Sequence, residues 1–487
     1  MTQQAAVACG NADTAEAAAT VLRRGGNAVD AAVAAGFAAA LTEPGLTSLG
    51  GGGFLLLRHP SGQQQLLDFF VNAPGQGLPP AALAPHFTPV TIMFSGAEQV
   101  FHAGYGSVAV PGVLDGYLNA HLRFGRLSLA EVLAPAQSMA HDGAPLASSQ
   151  SQVLNLLHDI LTLTEEAREA FAPQGALPRF GEALRNERYA RFLGELATGS
   201  STGWRDAPHS DQIATDMAAN RGLVTSADLA SYRVVERTPL VVRYGGLTLT
   251  TNPSPSFGGS IIAETLHRLA GDDFPTVPST RTLHVVRALR SATERAKRSR
   301  KPHSSKGTTH ISVVDGDGAF VSMTTSNGSC SGVMAHGTGV QLNNVMGEED
   351  LHPEGFHVTA PGTRIGSMMA PMLLDLPDGS VVALGSGGSE RIRSALLQVV
   401  LLLAAGDVDL PTIIDAPRIH HDGVAIQVEP GLSSHILAAL AGEARVNPWA
   451  APDLYFGGVH AVRRTPDGAV AAAGDARRDG VGLVIEL

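Results

Sequence analysis

The chain opens on two alanine-rich runs of helical character. From Asp13 to Arg24 the residues are mostly small and apolar, with a capping residue in front and Gly25-Gly26 behind, which predicts a helix with a glycine stop. A second helix is predicted from Asn27. Its run from Ala28 to Leu41 is broken by a single charge, Asp30, and bounded by Glu43-Pro44. That is short of the ~20 residues a bilayer span needs, so it reads as a buried core helix. Gly50, Gly51, Gly52 and Gly53 then lead into Phe54-Leu55-Leu56-Leu57, an apolar run of buried-strand length. Four successive glycines are either a flexible turn or backbone packed too closely for any Cβ. A further helix is predicted from Leu127 to His141, and residues 150–225 read as mixed helix and loop without a chemical signature.

The pattern is most informative around residues 305–328. Ile311 to Val314 are β-branched or small, Asp315-Gly316-Asp317-Gly318 supplies turn chemistry, and Phe320 to Thr325 is strand-like again, so the stretch predicts a β-hairpin. Two hydroxyls, Thr308 and Thr309, stand at the start of its first strand. A threonine hydroxyl stays protonated at neutral pH and needs an adjacent base to act as a nucleophile. Cutting the chain between Gly307 and Thr308 frees an α-amino group, of pKa ~7.7–8.0, on the same residue as the hydroxyl, so one cleavage creates both groups. The basic run over 286–306, from Arg287 to Lys306, reads as a solvated segment in front of the cut.

Composition narrows the class. A hydrophobic share of 44% in 487 residues is ample for a core, so the chain is not disordered. The formal charge of -11 argues against a nucleic-acid or anionic-membrane surface. Cys9 and Cys330 are the only cysteines and neither lies in a metal-type pair; with no secretory pattern at Met1-Thr2-Gln3-Gln4, the expectation is a reducing, cytoplasmic setting. His420 and His421 are adjacent and, on a strand, point to opposite faces, so they do not make a shared metal site. No metal and no cofactor is expected.

Gly307-Thr308-Thr309-His310 followed by Ser312-Val313-Val314-Asp315 resembles the start of the small subunit of the γ-glutamyltransferases (γ-glutamyltranspeptidases). The run from Gly25 through Glu43-Pro44 to Phe54 resembles the opening of their large subunit. Further resemblances follow in family order at Leu66 to Pro74, Val108 to Gly116, Pro253 to Gly259, Gly337 to Glu348, Gly366 to Pro371, Gly385 to Ile392, Asp415 to His421 and Gly474 to Gly480, which includes Arg477 and Arg478.

The resemblance implies an α+β chain with the four-layer αββα fold of the N-terminal-nucleophile hydrolases. A large segment, 1–307, and a small catalytic segment, 308–487, associate as one unit and act on a small-molecule substrate. It implies that Gly307 and Thr308 flank the cut, that Thr308 is the nucleophile and Ser326 a further catalytic residue, and that the amides of Gly388 and Ser389 form the oxyanion hole. Phe70, Asn327, Glu348, Ser367 and Met368 fall at substrate-contacting positions. Two of these depart from the family: Phe70 replaces the arginine that holds the substrate's α-carboxylate, and Met368 replaces a second serine. Losing a charge-assisted contact costs roughly 1.5–3 kcal/mol, so glutathione and other γ-glutamyl compounds are expected to be weak substrates. The alternatives are the same machinery redirected within a biosynthetic pathway, as in the carbon-carbon bond cleavage carried out by some relatives that make proline-derived antibiotics, and an unprocessed binding protein without chemistry.

Overall fold

The structure is a computed structural model that describes residues 3–83, 86–94, 97–271, 278–296, 307–348, 351–352, 355–406 and 408–487. The part of the basic run from Lys297 to Lys306 lies outside the described residues.

Two antiparallel sheets face each other. The first has seven strands in the spatial order Val481–Glu486, Gln4–Cys9, Thr309–Val314, Phe320–Ser326, Gly52–Arg58, Gln64–Phe69 and Val235–Arg237. The second has six, in the order Val470–Ala473, Gly458–Arg464, Val381–Gly387, Met372–Asp375, Leu247–Thr251 and Leu240–Tyr244. Each sheet contains strands from both sides of position 307, interleaved in the first and in two adjoining blocks in the second, so neither segment builds either sheet alone.

Side-chain alternation along the strands builds the layers. In Gln4–Cys9, Ala5, Val7 and Cys9 pack toward one set of helices while Ala6 and Ala8 join the core on the opposite face. In Gly52–Arg58, Leu55 and Leu57 face the helices and Phe54 and Leu56 face the second sheet. Helices Ala12–Arg23, Ala28–Thr42, Val113–Phe124, Leu129–Asp142 and Glu187–Thr198 cover the outer face of the first sheet, and Gly258–Gly271 and Arg391–Ala405 pack on the second. The result is the four-layer αββα arrangement of an α+β chain.

The predicted first helix is Ala12–Arg23, capped by Asn11, whose side chain accepts from Asp13 N and Thr14 N. Asp30 does not weaken the second helix. It closes a capping box with Asn27, and its carboxylate also takes the amides of Arg126 and Leu127 at 2.9 and 3.2 Å. The glycine run is the close-packed alternative: a Cβ on Gly51 would lie 2.2 Å from Ser326 O, and one on Gly50 would lie 2.3 Å from Gln341 O. Residues 150–225 are largely helical, with Ser148–Leu156, Glu165–Phe171, Glu187–Thr198 and Ala207–Ala219. Cys9 and Cys330 are both buried free thiols. Among the described residues no helix is long and apolar enough to cross a membrane.

Candidate active site

The hairpin forms as its pattern predicts. Thr309–Val314 pairs with Phe320–Ser326 in a register that sets Thr309 against Thr325, which brings Thr308 beside Ser326. Thr308 Oγ1 donates to Ser326 Oγ at 3.4 Å, and Ser326 Oγ donates in turn to the carbonyl oxygen of Gly307. The amide of Gly328 donates to Ser326 Oγ at 3.1 Å and fixes that hydroxyl. Gly307 is required here: a Cβ on it would meet Gly328 O at 1.8 Å. The hydroxyl of one threonine and the carbonyl that precedes it are thus spanned by a single serine.

Two ionisable groups tie down the residues at this point. Thr309 Oγ1 donates to Glu43 Oε2 at 2.6 Å, and Thr14 Oγ1 reaches Glu43 Oε1 at 3.4 Å. Burial pushes the Glu43 carboxyl up to about 7, against the lowering effect of those two hydroxyls and of Arg478. Arg478 Nη1 donates to Thr308 O at 3.2 Å. Neither residue was marked by the sequence reading, which used Glu43 only as a helix end and Arg478 only as part of a terminal landmark. The one available signal was a carboxylate directly after a helix with no exposed face.

The glycine loop reaches this point from the second sheet. Strand Val381–Gly387 runs toward helix Arg391–Ala405, and the turn between them has positive φ at Gly388 (119°) and Ser389 (54°). A Cβ on Gly387 would lie 2.2 Å from Thr308 O, so this loop touches the Thr308 backbone through Gly387, with Gly388 and Ser389 following.

The five residues expected at substrate-contacting positions are spread more widely. A Cβ on Gly328 would meet Glu348 Oε1 at 2.6 Å, so the Glu348 carboxylate lies close to the Ser326 turn. Asn327 directs its side-chain amide to Gln341 Oε1 and Leu342 O, both at 3.5 Å. The Ser367 hydroxyl accepts from Met369 N at 3.1 Å while its carbonyl accepts from Phe257 N and Ser256 Oγ, which makes it part of a loop tie. Phe70 and Met368 both belong to the buried core cluster that includes the space between the sheets, and the Phe70 ring stacks on Phe54 at 5.9 Å. The guanidinium absent from position 70 has a neighbour in Arg364, but that side chain is committed to Phe70 O, Tyr232 OH, Arg233 O and the Asp68 carboxylate. His420 bonds Ser394 Oγ at 2.7 Å from within the structure, and among the described residues no cluster of potential ligands could hold a metal.

A sequence model of gamma-glutamyltranspeptidase matches residues 14–301 and 286–485. The chain belongs to this family. It is 29% identical to the glutathione hydrolase proenzyme of Escherichia coli (strain K12), over 98% of this chain and 90% of that protein. It is 30% identical to the acylase ACY 1 proenzyme of Pseudomonas sp. (strain SE83), over 96% of this chain and 91% of that one. The cephalosporin acylase of Bacillus halodurans superposes with a TM-score of 0.85 at 25% identity, covering 99% of this chain and 96% of the other. Family membership makes the chain one of a group of hydrolases and transferases, with relatives named both for glutathione hydrolysis and for acylase activity.

Proposed function

We propose that this family member is a self-processed acylase whose nucleophile is Thr308. The observation that carries the reading is the chain of contacts Thr308 Oγ1 to Ser326 Oγ to Gly307 O. In the cleavage step the Thr308 hydroxyl attacks the Gly307 carbonyl carbon. The Ser326 hydroxyl, already donating to that carbonyl oxygen, takes up the charge that develops there. The C–N bond breaks as the acyl group passes from the Thr308 nitrogen to its oxygen, and the nitrogen takes up the hydroxyl proton and becomes the free α-amino group; water then hydrolyses the ester, releasing the Gly307 carboxylate and restoring the hydroxyl beside that amine. That amine then serves as the base for attack on an amide substrate, with the Gly388 and Ser389 amides as oxyanion donors and an acyl-enzyme on Thr308 as the intermediate. Two relatives are named as proenzymes, in keeping with activation by cleavage.

For the substrate we favour amides other than γ-glutamyl ones. Phe70 and Met368 are packed in the core, and Arg364, the guanidinium beside position 70, is occupied by carbonyls and Asp68, so it does not take over the carboxylate clamp. The test is intact-mass analysis of purified wild type and Thr308→Ala, followed by trapping of an acyl adduct. Wild type should separate under denaturing conditions into segments of 307 and 180 residues (487 - 307 = 180), with the adduct on the smaller. Active wild type that remains a single chain overturns the mechanism.

A further inference from the structure

The turn that follows helix Ala28–Thr42 grips both strands of the catalytic hairpin. Glu43 N donates to Ala39 O at 2.8 Å, which anchors the turn to the helix end, and Glu43 O accepts from Leu46 N and Thr47 N at 2.9 and 3.1 Å. From this base two side chains reach a pair of residues that face each other across the hairpin. Glu43 Oε2 accepts from Thr309 Oγ1 at 2.6 Å, and the hydroxyls of Thr47 and Thr325 are bonded at 2.8 Å. Leu46 O accepts from Asn327 N at 3.2 Å, and Pro44 O accepts from Cys330 Sγ at 3.7 Å. Gly307 packs on the same turn: a Cβ on it would lie 2.9 Å from Gly45 O. The turn belongs to segment 1–307 and the hairpin to 308–487, so all of the ties to the hairpin cross the cut.

Thr309 depends on such a tie more than the rest of its strand does. It pairs with Thr325 on one side. On the other, Gln4–Cys9 runs beside Ser312 to Val314 and then gives way at Gly10 to helix Ala12–Arg23. The Glu43 carboxyl occupies the corner this leaves, since a Cβ on Gly10 would lie 2.5 Å from Glu43 Oε2 and 3.3 Å from Thr309 Oγ1. Before cleavage Thr308 is also fixed from behind by its peptide bond to Gly307. Cleavage removes that bond and makes Thr308 a chain end, and chain ends fray unless they are tied down. Arg478 holds the Thr308 carbonyl at 3.2 Å, and the next side chain along the strand is the one tied to Glu43.

We infer that Glu43 is a positioning residue for the processed enzyme: through the Thr309 hydroxyl it holds the new chain end, so that the hydroxyl and amine of Thr308 stay aligned on the acyl carbon once the bond to Gly307 is gone. This rests on Thr308 as nucleophile. It separates two steps that share that nucleophile. Self-cleavage is aligned by the intact peptide bond and depends little on Glu43, whereas acylation by a substrate depends on it strongly.

The test compares wild type with Thr309→Val and Thr309→Ser. Valine keeps the branched shape at this strand position and loses the donor; serine keeps the donor. Intact-mass spectrometry reads two rates on each protein. One is the appearance of the smaller segment in purified precursor, and the other is acetylation of that segment by p-nitrophenyl acetate after processing. Thr309→Val should cleave itself within about threefold of the wild-type rate, while its limiting acetylation rate falls by roughly 10- to 100-fold at little change in half-saturating concentration, the cost of a misplacement on the order of 1 Å. Thr309→Ser should recover most of that loss. The double variant Thr309→Val/Glu43→Met replaces both partners by apolar groups and so leaves no buried carboxyl without its donor; it should show the same split between the two rates. Acetylation at the wild-type rate in the valine variants overturns the inference while leaving Thr308 in place. So does a serine variant as slow as the valine one, or a loss of self-cleavage as large as the loss of acetylation, including loss through misfolding of both valine variants. Wild type that stays uncut, or that takes no acetyl group on Thr308, overturns the Thr308 reading and this inference with it.

Discussion

Thr309 and Glu43 are 266 positions apart in the chain and are joined by a 2.6 Å hydrogen bond in a fully buried setting, one residue from Thr308. The carboxyl sits directly after helix Ala28–Thr42, buried at every position but Ala40, with Thr14, Cys9 and Tyr117 around it and Arg478 as the cation nearest in effect. It titrates at about 7 in the folded chain, against 4.5 ordinarily.

That shift gives a pH dependence of stability. Because the folded pKa lies above the unfolded one, the contribution of this group is fully present below about 4.5 and is lost as pH rises through about 7. Glu43→Gln keeps an acceptor for Thr309 and removes the ionisation. Its melting temperature should match that of wild type at pH 5 more closely than at pH 8, where the variant should gain on the order of 3 kcal/mol at most. Equal pH dependence in the two proteins would show that Glu43 stays ionised when buried.

Ser326→Ala removes the hydroxyl that spans Thr308 and Gly307. Self-cleavage should slow by ~10²–10³, the usual cost of one oxyanion donor, while the fold persists because Thr309–Val314 and Phe320–Ser326 remain paired. The check is a time course of fragment appearance in purified precursor. Cleavage at the wild-type rate would remove Ser326 from the mechanism.

The pairing of these strands, a capping residue ahead of the first helix, the start of the second at Asn27 and the glycine stop were legible in the sequence, because each is settled within a few residues of itself. The hairpin turn at Asp315 to Gly318 is of the same kind. Glu43, Arg364 and Arg478 were not legible as site residues. Their partners are Thr309, Phe70 and Thr308, at separations of 266, 294 and 170 positions, and no local pattern states such a contact. The glycine run was half legible: close approach was one of two readings, but only the packed strands identify Gln341 O and Ser326 O as what a Cβ would strike.

Gly51→Ala tests that packing directly. Its Cβ would lie 2.2 Å from Ser326 O and 2.9 Å from the same residue's carbonyl carbon, both backbone atoms that cannot yield by a rotamer change. The strand end carrying Ser326 must shift, so the variant should accumulate as uncleaved precursor with a lowered melting temperature. Normal processing with normal stability would mean that Ser326 need not be held where it is.

The amine base sets the sign of the activity profile. The Thr308 α-amino group must be neutral to accept the hydroxyl proton, so kcat/KM of processed enzyme should fall on the acid side with an apparent pKa at or below ~7.7–8.0. A profile flat from about pH 5 to 9, with acylation shown to limit the rate, would rule the amine out.

Phe70 decides between a specificity switch and a packing residue. If the ring only replaces a lost substrate clamp, Phe70→Arg should restore turnover of a γ-glutamyl anilide. The ring instead lies 2% exposed, stacked on Phe54, with its carbonyl taken by Tyr232 OH and Arg364. Arginine there would give up the packed ring and bring a second guanidinium beside Arg364, so the expected outcome is a loss of stability of about 3 kcal/mol or more, comparable with deleting a buried phenylalanine. The measurement pairs thermal unfolding with kcat/KM for the γ-glutamyl anilide, both on protein confirmed as cleaved. Turnover should remain low in wild type and fail to rise in the variant. A large gain in γ-glutamyl turnover with unchanged stability would mean that position 70 opens onto the substrate after all, and that the change from arginine to phenylalanine by itself redirected the enzyme.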